Sequence, residues 1–207
     1  MTEAALLSFV AALFAIMNPV GNVGICATLT EGRSQSDVRY AARTCAAASA
    51  ITLLITTWTG DYVLEFFGIS VDSLRVAGGI IVLLIGLSML ANNDVHRHTA
   101  AEREDAKTRP TVGVVPLAIP IVAGPGTIAT VLVAAQYQPT ISKLEISGVI
   151  LAMCVLVWIL FSLAKPIADR LGAAGMAVVT RLMGMILATI ASAMLAIGLK
   201  GLMPGLA

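Results

Sequence analysis

Across its 207 residues the chain is 58% hydrophobic and 12% charged, with a mean hydropathy of +0.93, which excludes an ordinary soluble domain. Its 13 Lys and Arg nearly balance 12 Asp and Glu, a net charge that says nothing useful about acidic partners, whereas the placement of the charges is informative; no nucleic-acid partner is expected. Uncharged stretches cover 4–30, 44–60, 76–93, 111–142, 146–164 and 182–199. A helix needs about 17–25 mostly apolar residues to cross the hydrocarbon, so the pattern predicts an all-α membrane protein with six transmembrane helices and the lipid bilayer as its surroundings.

In chain order, span 1 has Glu3 where a signal peptide would be basic and stays apolar past the usual signal length, so it is expected to persist as helix 1. It is interrupted within "FAIMNPVGNVGI", 14–25. Asn favours the N-cap, and Pro, having no N–H to lose, is favoured at the first helical position. Asn18-Pro19 therefore predicts two half-helices, the second starting deep in the membrane. Asn22 shares a helix face with Asn18, and Gly21 lets backbone approach closely. Three cysteines, Cys26, Cys45 and Cys154, lie in or beside spans without CxxC spacing and read as small buried hydrophobes.

Arg75 leads into span 3, ahead of Gly78, Gly79 and Gly86, which suit close helix contact. The most polar segment is the linker 94–110, "DVHRHTAAEREDAKTRP"; its two histidines lack a third ligand, so no metal site is expected. Span 4 repeats the interruption at Gly124-Pro125, followed by Gly126 and by Thr127 and Thr130 on the partner half-helix. Two uses are open for those hydroxyls: a bond to a preceding carbonyl, or contact with an ammonium or cation. Arg181 leads into span 6 before a small-residue row, Gly184, Ala188 and Ser192. Arg75 and Arg181 read either as snorkelling to the interface or as gate residues pairing across a cavity.

Shifting the second half back by 106 positions superposes Pro19 on Pro125, Arg75 on Arg181, Gly78 on Gly184 and Ile80 on Ile186. Three spans per half is an odd number, so the halves enter from opposite sides. The expected organisation is two inverted three-helix repeats, 1–93 and 111–207, joined by the linker 94–110, with helices 1 and 4 broken near the midplane. One face would hold Arg33, Arg39, Arg43, Arg97, Arg103, Lys107, Arg109, Lys165, Arg170 and Arg181, the other Arg75, Lys143 and Lys200. By the positive-inside rule the linker is cytoplasmic and both termini lie outside the cytoplasm.

A half-helix that begins inside the membrane exposes backbone N–H groups there, and such donors with their partial positive charge suit a carboxylate. The breaks thus read as a site for the polar end of a small substrate, with Asn18, Pro19, Gly21, Asn22, Gly124, Pro125, Gly126, Thr127 and Thr130 as its binding residues. A membrane enzyme would be expected to place ionisable groups inside its spans, and the uncharged runs contain no Asp, Glu or His; no catalytic residue and no cofactor is expected. A thiol carrier would need repeat-related cysteines, but Cys26 maps to Leu132 and Cys45 to Leu151.

"MNPVGN" at 17–22, "LRVAGGIIVLLIGLSML" at 74–90 and "PLAIPIVAGPGTIATVLV" at 116–133 resemble the MarC family of integral membrane proteins. The resemblance implies a six-span bacterial or archaeal protein of the cell (inner) membrane, and a transporter of small neutral amino acids such as glycine and alanine, the SnatA type. It places the family's Asn-Pro-x-Gly-Asn on Asn18, Pro19, Gly21 and Asn22, and its Ala-Gly-Pro-Gly on Ala123, Gly124, Pro125 and Gly126. Gly24 stands where relatives often carry a second Pro. The leading expectation is a secondary transporter of small zwitterions working by alternating access, coupled to protons, to sodium or to simple exchange. The rival within transport is an exporter of other small solutes or drugs. Oligomeric state has no sequence signal.

Overall fold

The structure is a computed structural model that describes residues 2–91, 113–203 and 205. The linker 94–110, with His96 and His98, lies outside the described residues. Among these the chain is all helical: α1 Glu3–Met17, α2 Asn22–Leu29, α3 Gln35–Phe67, α4 Val71–Leu90, a π-helical segment Gly113–Val122, α5 Pro125–Ala135, α6 Thr140–Ser162 and α7 Ala164–Leu202.

Helix starts follow the hydroxyl residues. Thr2, Ser34 and Ser70 accept from the N–H groups of Ala5, Asp37 and Ser73 and so cap α1, α3 and α4. Gly68, left-handed at φ 63°, ends α3. With 33 residues α3 far exceeds its 17-residue uncharged run. At about 1.5 Å per residue it is near 50 Å long against a hydrocarbon thickness of about 30 Å. Its ends, carrying Asp37, Arg39, Arg43 and then Asp61 and Glu65, continue the helix beyond the apolar run.

Among the described residues, five helical stretches are long and apolar enough to cross a membrane: Glu3–Leu29, α3, α4, α6 and α7. The fourth expected span is divided instead. Pro116 and Pro120 bring no N–H to a helical ladder, and the turns there widen, with Ala123 N–H donating to Ala118 O, five residues back, at 2.8 Å. After Gly124 a fresh 11-residue helix, α5, begins. The 39 residues of α7 bend at Gly172, whose φ 63° and ψ 178° only glycine adopts readily.

Two antiparallel helix pairs frame the broken spans. In the α4–α7 pair, a Cβ on Gly86 would lie 2.9 Å from Gly184 O, one on Gly79 3.2 Å from Ala191 O, and one on Gly198 2.9 Å from Asp72 O. Backbones therefore touch in seven-residue steps through Gly184, Ala191 and Gly198. Gly184 and Ala188 of the expected row take part, but Ser192 is exposed, because Ala191 occupies the facing position. The α3–α6 pair is joined by Trp58 Nε1 to Ser147 Oγ at 3.3 Å and by Gln35 Nε2 to Ser162 O at 2.9 Å. One core cluster draws on α1, α2, α3, the π-helical segment, α5 and α6, and contains all three cysteines, which are free and buried. A second joins Ile16 of α1 to Val82, Leu187 and Ala191. The broken spans thus sit between the two pairs and touch both.

Candidate functional site

The two breaks are adjacent and buried. A Cβ on Gly126 would lie 2.5 Å from Val82 Cγ2 and 3.6 Å from Ile16 Cγ2, two residues before Asn18. On the same helix as Val82, the Met89 sulfur lies 3.6 Å from Asn18 Nδ2. One face of α4 therefore runs past both interruptions. Asn18, Pro19, Gly21, Asn22, Gly124, Gly126, Thr127 and Thr130 are buried, and Pro125 is exposed.

The first break closes on itself. Asn18 is left-handed, φ 47° and ψ 53°, and its N–H donates to Phe14 O at 3.0 Å, so it terminates α1. Its own carbonyl accepts from Asn22 N–H at 3.0 Å and its side-chain Oδ1 from Gly21 N–H at 3.1 Å. The expected start of the second half-helix at Asn18-Pro19 is thus corrected: left-handed Asn18 is the C-cap of α1, residues 19–21 form a turn, and α2 begins at Asn22 with Gly21 as its N-cap, while the Asn18 Oδ1 fills a donor that the sequence reading offered to substrate. Gly21 has no room for a Cβ because the Asn18 amide lies over it. Asn22 Nδ2 donates back across the break to Met17 O at 3.0 Å.

The second break is built differently at its donor end. Gly124 is the N-cap of α5 with extended geometry, Pro125 occupies the first turn, and no side chain caps the helix. The first-turn N–H groups of Gly126 and Thr127 point out of the helix end by the geometry of any α-helix, and Pro125 has none. Thr127 Oγ1 donates to Val122 O at 2.9 Å and Thr130 Oγ1 to Gly126 O at 2.9 Å. Both hydroxyls thus make the internal bond that was one of their two expected uses, and their oxygens keep lone pairs for a donor. A parallel emerges: in each break a polar side chain of the second half-helix, Asn22 or Thr127, donates to a carbonyl five residues earlier and joins the two halves. Gly126 accommodates Val82, so its missing side chain serves packing with α4.

The arginines stand apart from each other. Arg75 pairs with Asp72 on its own helix at 3.1 Å, and both lie against the Gly198 end of α7. Arg181 is exposed. An open cleft of about 360 Å³, lined by Thr28, Glu31, Lys165 and Asp169 among others, lies at the far end of α2 and includes none of the expected binding residues.

Sequence reasoning missed a polar clasp. Asp61 Oδ2 accepts from Lys143 Nζ at 2.6 Å, and Asp61 Oδ1 accepts from the N–H of Tyr137, which is left-handed at φ 51°. It ties α3 to the corner between α5 and α6. Near the α2–α3 connection, Lys165 Nζ donates to Arg33 O at 2.7 Å. The available signal was that Asp61 and Lys143 each end an uncharged run with opposite signs.

A family model described as "MarC family integral membrane protein" matches residues 4–203. The chain is 38% identical over 195 residues to the UPF0056 membrane protein YvbG of Bacillus subtilis, covering 93% of this chain and 92% of that one. It is 36% identical over 202 residues to the UPF0056 membrane protein YhcE of Escherichia coli, covering 96% and 93%. An archaeal relative, a UPF0056 membrane protein of Methanocaldococcus jannaschii, is 35% identical over 191 residues, covering 91% and 93%. No solved structure matches the chain.

Proposed function

Because the chain belongs to the MarC family of integral membrane proteins, found in bacteria and archaea, we propose that it is a secondary transporter of small neutral amino acids of the glycine and alanine (SnatA) type, and not an enzyme. The observation that carries the reading is the buried, uncapped start of α5 beside the break of span 1. A zwitterion needs donors for its carboxylate and acceptors for its ammonium. The first turn of α5 offers the donors without a full charge in the membrane. The oxygens of Asn22, Thr127 and Thr130, and the second lone pairs of Met17 and Val122 carbonyls, offer acceptors.

In this reading the repeats 1–93 and 111–207 are inverted, and rocking of one against the other exposes the site alternately to each side. The antiparallel pairing of α4 with α7 and α3 with α6 supports that organisation, since it matches equivalent spans of the two halves. Transport in this reading is coupled to protons, to sodium or to simple exchange. The test is counterflow of radiolabelled glycine and alanine in proteoliposomes, with sodium and pH gradients imposed separately. Saturable counterflow of both is expected; counterflow absent for every small neutral amino acid, in protein that is folded and reconstituted, overturns the reading.

A further inference from the structure

We infer that two polar ties at opposite ends of the molecule are its alternating gates: Asp61 with Lys143 on the α5–α6 corner, and Lys165 on the α2–α3 corner. This deepens the transport reading above and rests on it. At the first tie Asp61 Oδ1 accepts from Tyr137 N–H at 3.2 Å and Oδ2 from Lys143 Nζ at 2.6 Å. At the second, Lys165 Nζ donates to Arg33 O at 2.7 Å. From Gln35 to Asp61 the unbroken α3 rises by about 39 Å, at about 1.5 Å per residue. Gln35 Nε2 bonds Ser162 O, close to Lys165. The ties therefore stand farther apart than the hydrocarbon is thick, about 30 Å.

Their position relative to the breaks is what makes them gates. Each break is followed by a short half-helix: α2 runs from Asn22 to the corner 30–34, and α5 from Pro125 to the corner 136–139. Each corner turns on a left-handed residue, Gly32 at φ 77° and Tyr137 at φ 51°. Each is fastened there by a charged side chain from the other half of the chain, Lys165 or Asp61. The 106-residue shift relates the two fastenings, since it carries Asp61 to Ile167 and Tyr137 back to Glu31, each two residues from Lys165 and Arg33. At its break α2 is joined to the preceding segment by Asn22 to Met17 O, and α5 by Thr127 to Val122 O. A half-helix joined at its start and tied only by polar groups at its far corner swings about the break when the tie releases.

The Lys165 end is already hollow. Gly32 and Lys165 both line the open cleft of about 360 Å³, so the second tie is part of its wall. Thr28 and Glu31, also in that wall, continue the face of α2 that carries Gly24 one turn deeper. Met176 covers Gly24, with its Cε 3.1 Å from where a Cβ would stand, and the buried Asn22 of the break follows. Release of Lys165 extends this cleft toward the break while Asp61, with its two bonds, keeps the other end shut. Release of Asp61 and Lys143 with Lys165 in place does the reverse.

The test is labelling of a cysteine placed at the break, Thr127→Cys, by a membrane-impermeant maleimide applied to intact cells and to inverted membrane vesicles. The probe is carried by the otherwise unchanged chain, by Asp61→Ala/Lys143→Met and by Lys165→Met. The same three proteins without the probe give the background from the buried native cysteines. Removing Asp61 and Lys143 together leaves no unpaired charge behind. Loss of a hydrogen bond to a charged group corresponds to roughly tenfold or more in the population of the open state. Labelling is expected to rise about tenfold from one face in Asp61→Ala/Lys143→Met and from the opposite face in Lys165→Met. Any other pattern overturns the inference: no rise in either folded variant, rises from the same face, or an equal rise from both faces, which marks a loosened fold. If Thr127→Cys does not insert, Thr130→Cys on the same half-helix takes its place. Wild type that transports no glycine in proteoliposomes overturns the substrate reading instead, and the labelling pattern still decides the gates.

Discussion

Asn18 carries three local bonds at once: its N–H closes α1, its carbonyl opens the next turn, and its side chain holds Gly21 N–H. Asn tolerates the left-handed region and also caps helix starts, so its identity in "MNPVGN" announced a boundary without saying which role would prevail. Replacing Asn18 by Leu removes the cap and forces a branched apolar residue into φ 47°. A stability loss of about 0.5–2 kcal/mol from the cap alone is expected, and uptake should be abolished in protein that still inserts. Thermal unfolding in detergent and uptake in vesicles check the two parts; normal transport by folded Asn18→Leu would move the site elsewhere. Gly124-Pro125 was more legible. Pro has one good place in a helix, the first turn, and it is found there. Gly126 was not legible as a packing residue, because the side chain it accommodates, Val82, comes from a helix distant in sequence.

At the scale of elements, the helices themselves were readable as apolar runs, whereas their mates and registers were not. The row Gly184, Ala188, Ser192 follows a four-residue step, but the contact follows seven through Ala191 and Gly198, because an antiparallel partner with its own glycines sets the register. Gly86→Val is therefore expected to push α4 from α7 and lower stability by about 1–3 kcal/mol, the usual cost of overpacking. Gly148→Ala is the control: nothing lies within 4 Å of its added methyl, and relief of the helix-interior glycine should raise stability by about 0.5–1 kcal/mol. Equal effects of the two in thermal unfolding would contradict the backbone contact. The Asp61–Lys143 clasp joins residues 82 apart and leaves no local trace beyond its opposite charges. Its side chains are 23% and 13% exposed, between a surface pair and a buried one. Asp61→Asn should cost about 1–3 kcal/mol, and adding Lys143→Met should return part of it. Additive losses in the double variant would show that the pair is not coupled.

For the whole molecule, the sequence pointed to the two breaks, and the structure adds that they meet between two helix pairs. What stayed hidden was their asymmetry, since one is closed by its own asparagine and the other is left uncapped. Orientation is a separate expectation from the distribution of basic residues. A reporter active only in the cytoplasm, fused after Ala207, should be silent; strong activity would reverse the expected orientation of the linker and the termini.

The central claim is that a carboxylate is read by the start of α5 and not by a side-chain charge. Its most direct measurement is competition against radiolabelled glycine uptake by alanine and by methylamine, in wild type and in Arg75→Gln and Arg181→Gln. Alanine should compete and methylamine should not, and both arginine variants should keep that pattern even where rates change. Arg75 is already paired with Asp72 and Arg181 is exposed, so neither is placed to hold the substrate. If either variant still transports glycine but no longer discriminates it from methylamine, arginine reads the carboxylate and the helix-end account is wrong.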